Sequence, residues 1–513
     1  MNYPKRLLLL ITIFTALRLL FSCATELGAD EAYYWTYALK LQWNYFDHPP
    51  IVGWLIRLTT LNLLIHNELF VRLGAVICCG VCTWLIFKIG NVIHNERAGW
   101  FVALLYTSSI YCSIRVGANI LPDSPQMIFW LAGVLILVKI TRLSNCSPKS
   151  NLLWCLFGLT AGLCIMCKIH GSFLWLAALL YLLLFSRNWL KNSGIYLAAI
   201  ITLVIISPIV IWNIQNNFIS YQFHSSRVSP AGSGIDLLRF IKAILQQIGI
   251  CNPINFFLIC SSGVWLYKRK AVVDKKAIII ILCCSLPLIL TVIFLSLFRE
   301  TFPHWSGPAY SSLLILPAIH LASAPKNQTR IVPKVLKWAL AYMVFIGSLQ
   351  ILSTNFFPGA LSTQQEGPKL GSGDLTLDSY GWKDAGEKID SLYRSDVAKN
   401  IMPNGAPIII TNWDSAAAIE FYVTNKTKQE VIGIGDVADL HQYYWTNKYK
   451  KQLRRGDCAY FIVPSETFYF RTSNLVYKNF AGHNNPFVFY QYRGGLPCRL
   501  ISVYRMLGYL GDR

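Results

Sequence analysis

Three carboxylates, Asp30, Glu31 and Asp47, stand within one short stretch of chain, Gly28 to Pro50, among aromatic residues. It opens Gly28-Ala29-Asp30-Glu31-Ala32-Tyr33-Tyr34-Trp35 and closes Asn44-Tyr45-Phe46-Asp47-His48-Pro49-Pro50. Paired carboxylates near a membrane surface can serve as a general base and as its hydrogen-bonding or metal-holding partner. The segment Ala32 to Leu41 has the amphipathic, aromatic character of a helix lying in a membrane interface. Pro49-Pro50 stiffens the return and keeps His48 out of helix. A solvated acidic loop would account for the same spacing.

Other candidates lie at the ends of apolar segments. Lys168, followed by His170, sits at the outer end of a hydrophobic helix, where a lysine is costly unless paired or functional. It can bind the phosphate of a lipid or snorkel to the interface. Arg299, ahead of Glu300, is a second phosphate candidate, and an ordinary loop charge otherwise. Asp123 follows Leu121-Pro122 at a helix start, where capping alone explains it. Arg115 and Asn119 could line the same cavity, and His224 and Arg227 read as loop residues or as a lid.

These residues must be positioned by a membrane domain. Of 513 residues, 54% are hydrophobic and 14% charged, against about a quarter charged in soluble proteins, and the mean hydropathy is positive. Apolar stretches of membrane-crossing length recur at about 6–22, 69–90, 98–116, 124–141, 152–167, 172–186, 194–212, 240–266, 277–298, 309–324 and 334–353. With Lys5 and Arg6 inside, the short inner loops collect Arg97, Arg142, Lys149, Arg187, Lys191, Lys268-Arg269-Lys270, Lys275, Lys276, Lys326 and Arg330, a positive-inside bias. Eleven spans place residues 354–513 outside. Eight of the ten carboxylates before residue 354 then fall on outward segments, which points to the outer face as the working face. The net charge of +21 belongs mainly to the membrane half, so inner-loop cations explain it better than nucleic acid does.

Thirteen of the 15 cysteines precede residue 285, mostly in spans, where Cys acts as a small apolar residue. Cys164 and Cys167 form a CxxC inside such a helix, an unsuitable place for zinc or redox chemistry. Cys458 and Cys498 allow a disulfide if their compartment is oxidising. Residues 1–23 could be read as a signal peptide, but cleavage would remove a span that the topology needs, so retention is expected. No Walker, Rossmann or zinc pattern is present. The expectation is therefore an activated donor and no cofactor, with a divalent metal on Asp30, Glu31 and Asp47 as a minor alternative.

The Asp30 to Trp35 and Tyr45 to Pro50 pattern resembles the signature loop of GT-C glycosyltransferases. More narrowly, it resembles the bacterial protein mannosyltransferase (family 39) and aminoarabinose (lipid A) transferase-like group. The resemblance continues at Leu121-Pro122-Asp123, at Gly158 to Lys168 and at Pro303-His304-Trp305. It implies transfer of a sugar from a polyprenyl-phosphate donor to a protein, lipid A or other glycan acceptor on the outer face of the cytoplasmic membrane. It further implies that Asp30 deprotonates or orients the acceptor hydroxyl, with Glu31 beside it, and that Asp47 belongs to the same site. His48, Lys168 and Arg299 become donor-phosphate candidates; Asp123, His170 and His304 become further site candidates. The aminoarabinose-transferase-like members carry Glu-Lys where this chain has Asp47-His48, and a histidine is a weaker phosphate partner than a lysine. Such enzymes generally look metal-independent.

The expected architecture is a polytopic α-helical domain over 1–353 and an extracytoplasmic α/β domain over 354–513. In the latter, 407–412, 430–434, 459–463 and 487–492 read as strands and 416–422 as a helix. A transporter or flippase of lipid-linked glycans is the alternative. It should carry ionisable groups near mid-membrane and internal repeats, and the carboxylates here sit at outer loop ends. A third reading is a catalytically silent binding subunit.

Overall fold

In the computed structural model the described residues are 2–144, 147–229, 234–268, 274–327, 329–467 and 470–511. The inner-loop residues Arg269 and Lys270 lie outside them. The chain divides into two compact units: Met1–Ser22 with Leu41–Gly347, and Cys23–Lys40 with Ser348–Arg513. Composition placed one boundary at 353/354; packing also assigns the acidic first segment, Cys23–Lys40, to the C-terminal unit.

The helices in chain order are α1 (Tyr3–Cys23), α2 (Ala29–Leu39), α3 (Ile51–Thr59), α4 (Glu68–Ile93), α5 (Glu96–Ser108), α6 (Asp123–Ile140), α7 (Pro148–Cys167) and α8 (Ser172–Phe185). There follow α9 (Ser193–Gln215), α10 (Ile219–Val228), α11 (Leu237–Cys251), α12 (Pro253–Lys268), α13 (Lys275–Ser296), α14 (Gly307–Leu313), α15 (Ile315–Ser323) and α16 (Lys334–Phe356). Among the described residues seven of these, α1, α4, α6, α7, α9, α13 and α16, are long and apolar enough to cross a membrane. The count becomes eight if α11 and α12 form one bent span.

The other expected spans are shortened or broken, for local reasons. The segment 240–266 bends by 100°. There Asn252 takes a positive φ of 79° ahead of Pro253, which cannot continue a hydrogen-bonded helix. Its side-chain amide donates to the carbonyls of Ser108 and Ala339, both at 2.9 Å, so the break is braced. The segment 98–116 ends as α-helix at Ser108 and continues as a π-helical turn, Tyr111–Arg115. Such turns are rare and gather at functional sites. Helix-breaking backbone at membrane depth survives where protein or a cavity surrounds it. Here Arg18 of α1, 2% exposed, donates to Ser113 Oγ at 2.8 Å and pins the turn. Helices α7 and α9 approach closely through Gly158 and Gly162: a Cβ on Gly158 would lie 2.3 Å from the Ala198 carbonyl oxygen. This small-residue spacing lets membrane helices touch along their backbones.

The second unit carries α2, α17 (Trp382–Ala398), α18 (Trp413–Tyr422), α19 (Thr424–Thr427), α20 (Val437–Leu440), α21 (Tyr443–Thr446) and α22 (Phe470–Lys478). Its six-stranded sheet has the order β2-β1-β3-β6-β4, with β5 also on β6. β1 (Ile408–Ile410) is buried and parallel to β2 (Val431–Gly433) and β3 (Ala459–Pro464), the pattern expected of strands covered on both faces. The long β6 (Leu496–Tyr509) runs antiparallel to β3, to β4 (Phe480–His483) and to β5 (Phe487–Arg493). Strands β4 and β6 were not expected from the sequence. Arg493 and Asp374 form a fully buried pair, 2.7 Å apart, that ties β5 to the segment before α17. Cys458 and Cys498 are both free thiols.

The stretch expected to lie in the membrane interface is largely packed inside this unit. In α2, Ala32 to Ala38 are all buried. Trp35 meets the Phe421 ring edge-on at 4.9 Å, and Tyr33 meets Trp413 at 4.9 Å. The aromatic face thus serves as protein core.

Candidate active site

In the membrane unit, Lys168 caps the C-terminus of α7 and Asp123 begins α6. Lys168 Nζ lies 2.8 Å from Asp123 Oδ2, and the two side chains are 5% and 3% exposed. Tyr111, on the π-turn, donates its hydroxyl to Asp123 Oδ1 at 3.1 Å. Gln126 donates to the Lys168 carbonyl at 3.1 Å and fixes the end of α7. A buried pair of this kind persists only where such further hydrogen bonds hold it. The Tyr111 ring fits against Gly307 of α14 so closely that any Cβ there would fall 2.2 Å from it.

Four histidines surround this pair closely enough to be coupled to it or to one another: His48, His170, His224 and His304. His48 and His224 have ring centres 6.2 Å apart, and His224 Nε2 lies 2.9 Å from the Asp47 carbonyl oxygen. His170 lies 6.2 Å, ring to ring, from Trp305, and His304 stacks on Phe302 at 5.7 Å. Enclosure pushes the His48 imidazole down to about 3, with Lys168 and His224 adding to the fall and Asp47 opposing it. It lowers His224 as well. His304 is depressed well below its ordinary value, first by enclosure and then by Lys168. At neutral pH these rings are therefore neutral donors and acceptors, and the cations near them are Lys168, Arg115 beside His304 and Arg227 beside His224. Arg299 goes elsewhere, donating to the Ser229 carbonyl at 2.9 Å.

Asp47 and His48 also border an open groove of about 680 Å³ with an aliphatic wall of Ile165, Ile169, Ile206, Ile209 and Val210. Polar groups of Asn44, Asn213, Ser220, Tyr221 and His224 also line it.

Asp30 and Glu31 belong to the other unit, on the first turn of α2. Glu31 folds back so that its carboxylate accepts from the Gly28 N–H at 3.1 Å, and it is buried. Asp30 is half-buried on the same turn. A helix N-terminus favours negative charge on both. Asp378 accepts from the Ala29 N–H at 2.9 Å. Its carboxyl is pushed up to about 7, by dense enclosure first and then by the charges of Asp30, Asp414 and Glu31. Among the described residues no group of three or more His, Cys, Asp or Glu is arranged to hold a metal ion.

Sequence reasoning named Asp47, His48, Asp123, Lys168, His170 and His304, and the membrane unit gathers them. It missed Tyr111, Gln126 and Asp378, and treated His224 as a loop residue. Tyr111 carries no signal in a single sequence, because a helix interrupted by one π-turn reads like any aromatic apolar segment.

An apolar helical bundle with a polar group of residues at its helix ends, followed by an α/β unit, defines a membrane-embedded protein of the GT-C glycosyltransferase fold. The structure of ArnT from Cupriavidus metallidurans bound to undecaprenyl phosphate matches with a TM-score of 0.64 and 13% identity, over 97% of this chain and 98% of that one. The archaeal oligosaccharyltransferase AglB from Archaeoglobus fulgidus, in complex with an inhibitory peptide and a dolichol-phosphate, matches at 0.50 and 11% identity, over 97% and 74%. A family model described as dolichyl-phosphate-mannose-protein mannosyltransferase matches residues 47–212. The lipid A galacturonosyltransferase RgtD of Rhizobium johnstonii is 25% identical over 323 residues, 61% of this chain. The match spans 65% of the length of that relative. The chain is thus a multi-pass membrane protein with the GT-C fold, similar to the protein mannosyltransferase and aminoarabinose (lipid A) transferase-like group.

Proposed function

We propose that this protein is a membrane glycosyltransferase that moves a sugar from a polyprenyl-phosphate donor to a hydroxyl of a protein, lipid A or other glycan acceptor. The observation that carries this reading is the Asp123–Lys168 pair with four histidines about it, two of which, His48 and His224, also line a groove with an aliphatic wall. A phosphate on a long hydrocarbon chain likewise combines a charged and an aliphatic part. The names of the relatives agree: one is a lipid A galacturonosyltransferase, and one structure holds undecaprenyl phosphate.

In the reaction the acceptor oxygen attacks the anomeric carbon while the bond from that carbon to the phosphate oxygen breaks, and the lipid phosphate leaves with the electron pair. Lys168 and the N–H groups of His48, His170 and His304 stabilise the departing phosphate, as preorganised donors do where charge develops. Asp123 holds Lys168 in place, and Asp47 orients His224 and the loop through its backbone. Asp30 takes the acceptor proton, while Glu31 secures the turn that presents it. Arg299 contributes long-range positive charge. The activated donor supplies the driving force, and no cofactor is assigned. The C-terminal unit and the helix ends bearing these residues face the outside of the cytoplasmic membrane.

The test is transfer of radiolabelled sugar from polyprenyl-phosphate donors in membranes containing the wild type or Asp30→Asn. Transfer by the wild type and a loss of at least about a hundredfold in the variant are expected for removal of a general base. Transfer by the variant at the wild-type rate removes Asp30 from this role, and no transfer from any donor by the wild type overturns the reading.

A further inference from the structure

The chain from Tyr443 to Arg455 reads YYWTNKYKKQLRR: five cations, four aromatic rings and no carboxylate. Within the C-terminal unit it folds into α21 and a 3-10 turn, Asn447–Tyr449. It walls an open recess of about 520 Å³, lined on the other side by the last turn of α2 and by Glu420 of α18. Two ammonium groups border the recess. Lys40, at the end of α2, places its Nζ over the Tyr449 ring. Lys450 is held by Glu420 Oε1 at 3.2 Å and by the Val431 carbonyl at 2.7 Å. Tyr443 forms a buried floor and Tyr449 is 59% exposed.

Such a site does not suit an apolar ligand. Among its lining residues one carboxylate stands against two lysines, and Lys448, Lys451 and Glu430, which accepts from the Lys451 N–H at 2.9 Å, flank them, so the surroundings stay positive. Exposed tyrosine gives a rigid amphipathic face at little entropic cost, and ammonium groups favour phosphate or carboxylate oxygens. The combination fits a sugar ring that carries an anion. Its place is equally informative. Asp30 lies on the first turn of α2 and Lys40 just beyond the last, so at the rise of an α-helix they are about 15 Å apart along its axis. A ligand anchored in the recess reaches Asp30 only if it is extended over more than one sugar unit.

We propose that this recess is a subsite for a phosphate- or carboxylate-bearing sugar of the acceptor, remote from the position that receives the new sugar. The proposal rests on the transferase reading above, and it names the acceptor as an extended anionic glycan.

The test uses the full chain in phosphatidylcholine nanodiscs and follows tryptophan and tyrosine fluorescence on titration with glucosamine 6-phosphate, glucosamine and inorganic phosphate. Saturable binding of glucosamine 6-phosphate, about tenfold or more tighter than either of the others, is expected from a charge-assisted contact added to a ring contact. Lys40→Gln and Tyr449→Ala, both at exposed positions, should each weaken it about tenfold, and Asp30→Asn should leave it unchanged. Equal affinity for glucosamine and its phosphate overturns the proposal, as does full affinity in the two subsite variants. Inorganic phosphate binding as tightly as the sugar phosphate reduces the recess to an anion site and also overturns it. Displacement of the probe when phosphatidylglycerol is added to the nanodisc shows a membrane-surface contact instead. Sugar transfer that persists without probe binding sinks the subsite alone. Probe binding without transfer from any donor sinks the transferase reading, and with it the description of the ligand as an acceptor.

Discussion

Lys168 Nζ and Asp123 Oδ2 stand 2.8 Å apart at the ends of two apolar helices, each side chain almost wholly removed from solvent. Losing one partner of such a pair leaves an uncompensated charge, which costs about 3–5 kcal/mol. Asp123→Asn and Lys168→Met should each lower thermal stability in detergent accordingly. The double variant, which leaves no bare charge, should recover most of that loss. Recovery of stability must not bring back transfer, because the proposed phosphate partner is gone. A double variant that is stable and still transfers sugar at the wild-type rate would show that the pair is only a fastener.

The same pair explains which parts of the site were legible in the sequence. Lys168 stood out because a lysine at that depth is costly unless it snorkels, pairs or functions, and Asp123 through the resemblance at Leu121-Pro122-Asp123, since capping alone explains it otherwise. Their union was not readable, since it depends on α6 and α7 meeting at one end. The first acidic segment was read as lying in the membrane interface, and its Ala32 to Ala38 stretch is instead buried in the C-terminal unit. Tyr33 and Trp35 look alike whether an aromatic face meets headgroups or meets Trp413 and Phe421. The sheet was legible where strands are short apolar runs, as in Ile408–Ile410, and missed in β6, where arginines and tyrosines interrupt the pattern. Helix breaks at Asn252 and at the π-turn were invisible to hydropathy, which averages over them.

Gly307 tests whether Tyr111 matters. Its missing side chain is what admits the Tyr111 ring, since a Cβ would overlap that ring at 2.2 Å. Gly307→Ala should displace the ring, break its hydrogen bond to Asp123, and cost about 1–3 kcal/mol through overpacking. Tyr111→Phe removes the hydroxyl without the clash. It should preserve stability to within about 1 to 1.5 kcal/mol, the worth of one hydrogen bond, and still slow transfer. Equal transfer by Tyr111→Phe and wild type would deny Tyr111 any part in orienting Asp123.

The contact of α7 with α9 offers a stability test far from charge. Gly158 faces the backbone of Ala198 and Gly162 faces Ile205, the latter with a Cβ distance of 3.0 Å. Gly158→Val must push the helices apart, because the obstructing atoms are backbone and cannot rotate away. A loss exceeding about 1–3 kcal/mol is expected for overpacking without relief, read as a lowered midpoint of thermal aggregation. Gly162→Ala meets only side-chain atoms and should be milder. If both variants melt with the wild type, the close approach of α7 and α9 is wrong.

The histidines give the pH dependence its sign. His48 falls to about 3 in the folded protein and ordinarily titrates near 6.5. His224 and His304 are displaced in the same direction by the same cause, enclosure. Between those limits the unfolded chain binds protons that the folded chain refuses, so stability rises with pH there and falls on acidification. Thermal midpoints should therefore drop between pH 7 and pH 5. Replacing His48, His224 and His304 together by Gln should flatten that drop, because the variant has no imidazoles at these positions to protonate on unfolding. The comparison must be made on the slope, since the substitutions will also shift the midpoint at pH 7 by altering packing. A variant slope as steep as that of the wild type would mean that these rings are protonated in the folded protein. They would then meet the donor phosphate as cations, not as neutral hydrogen-bond donors beside Lys168.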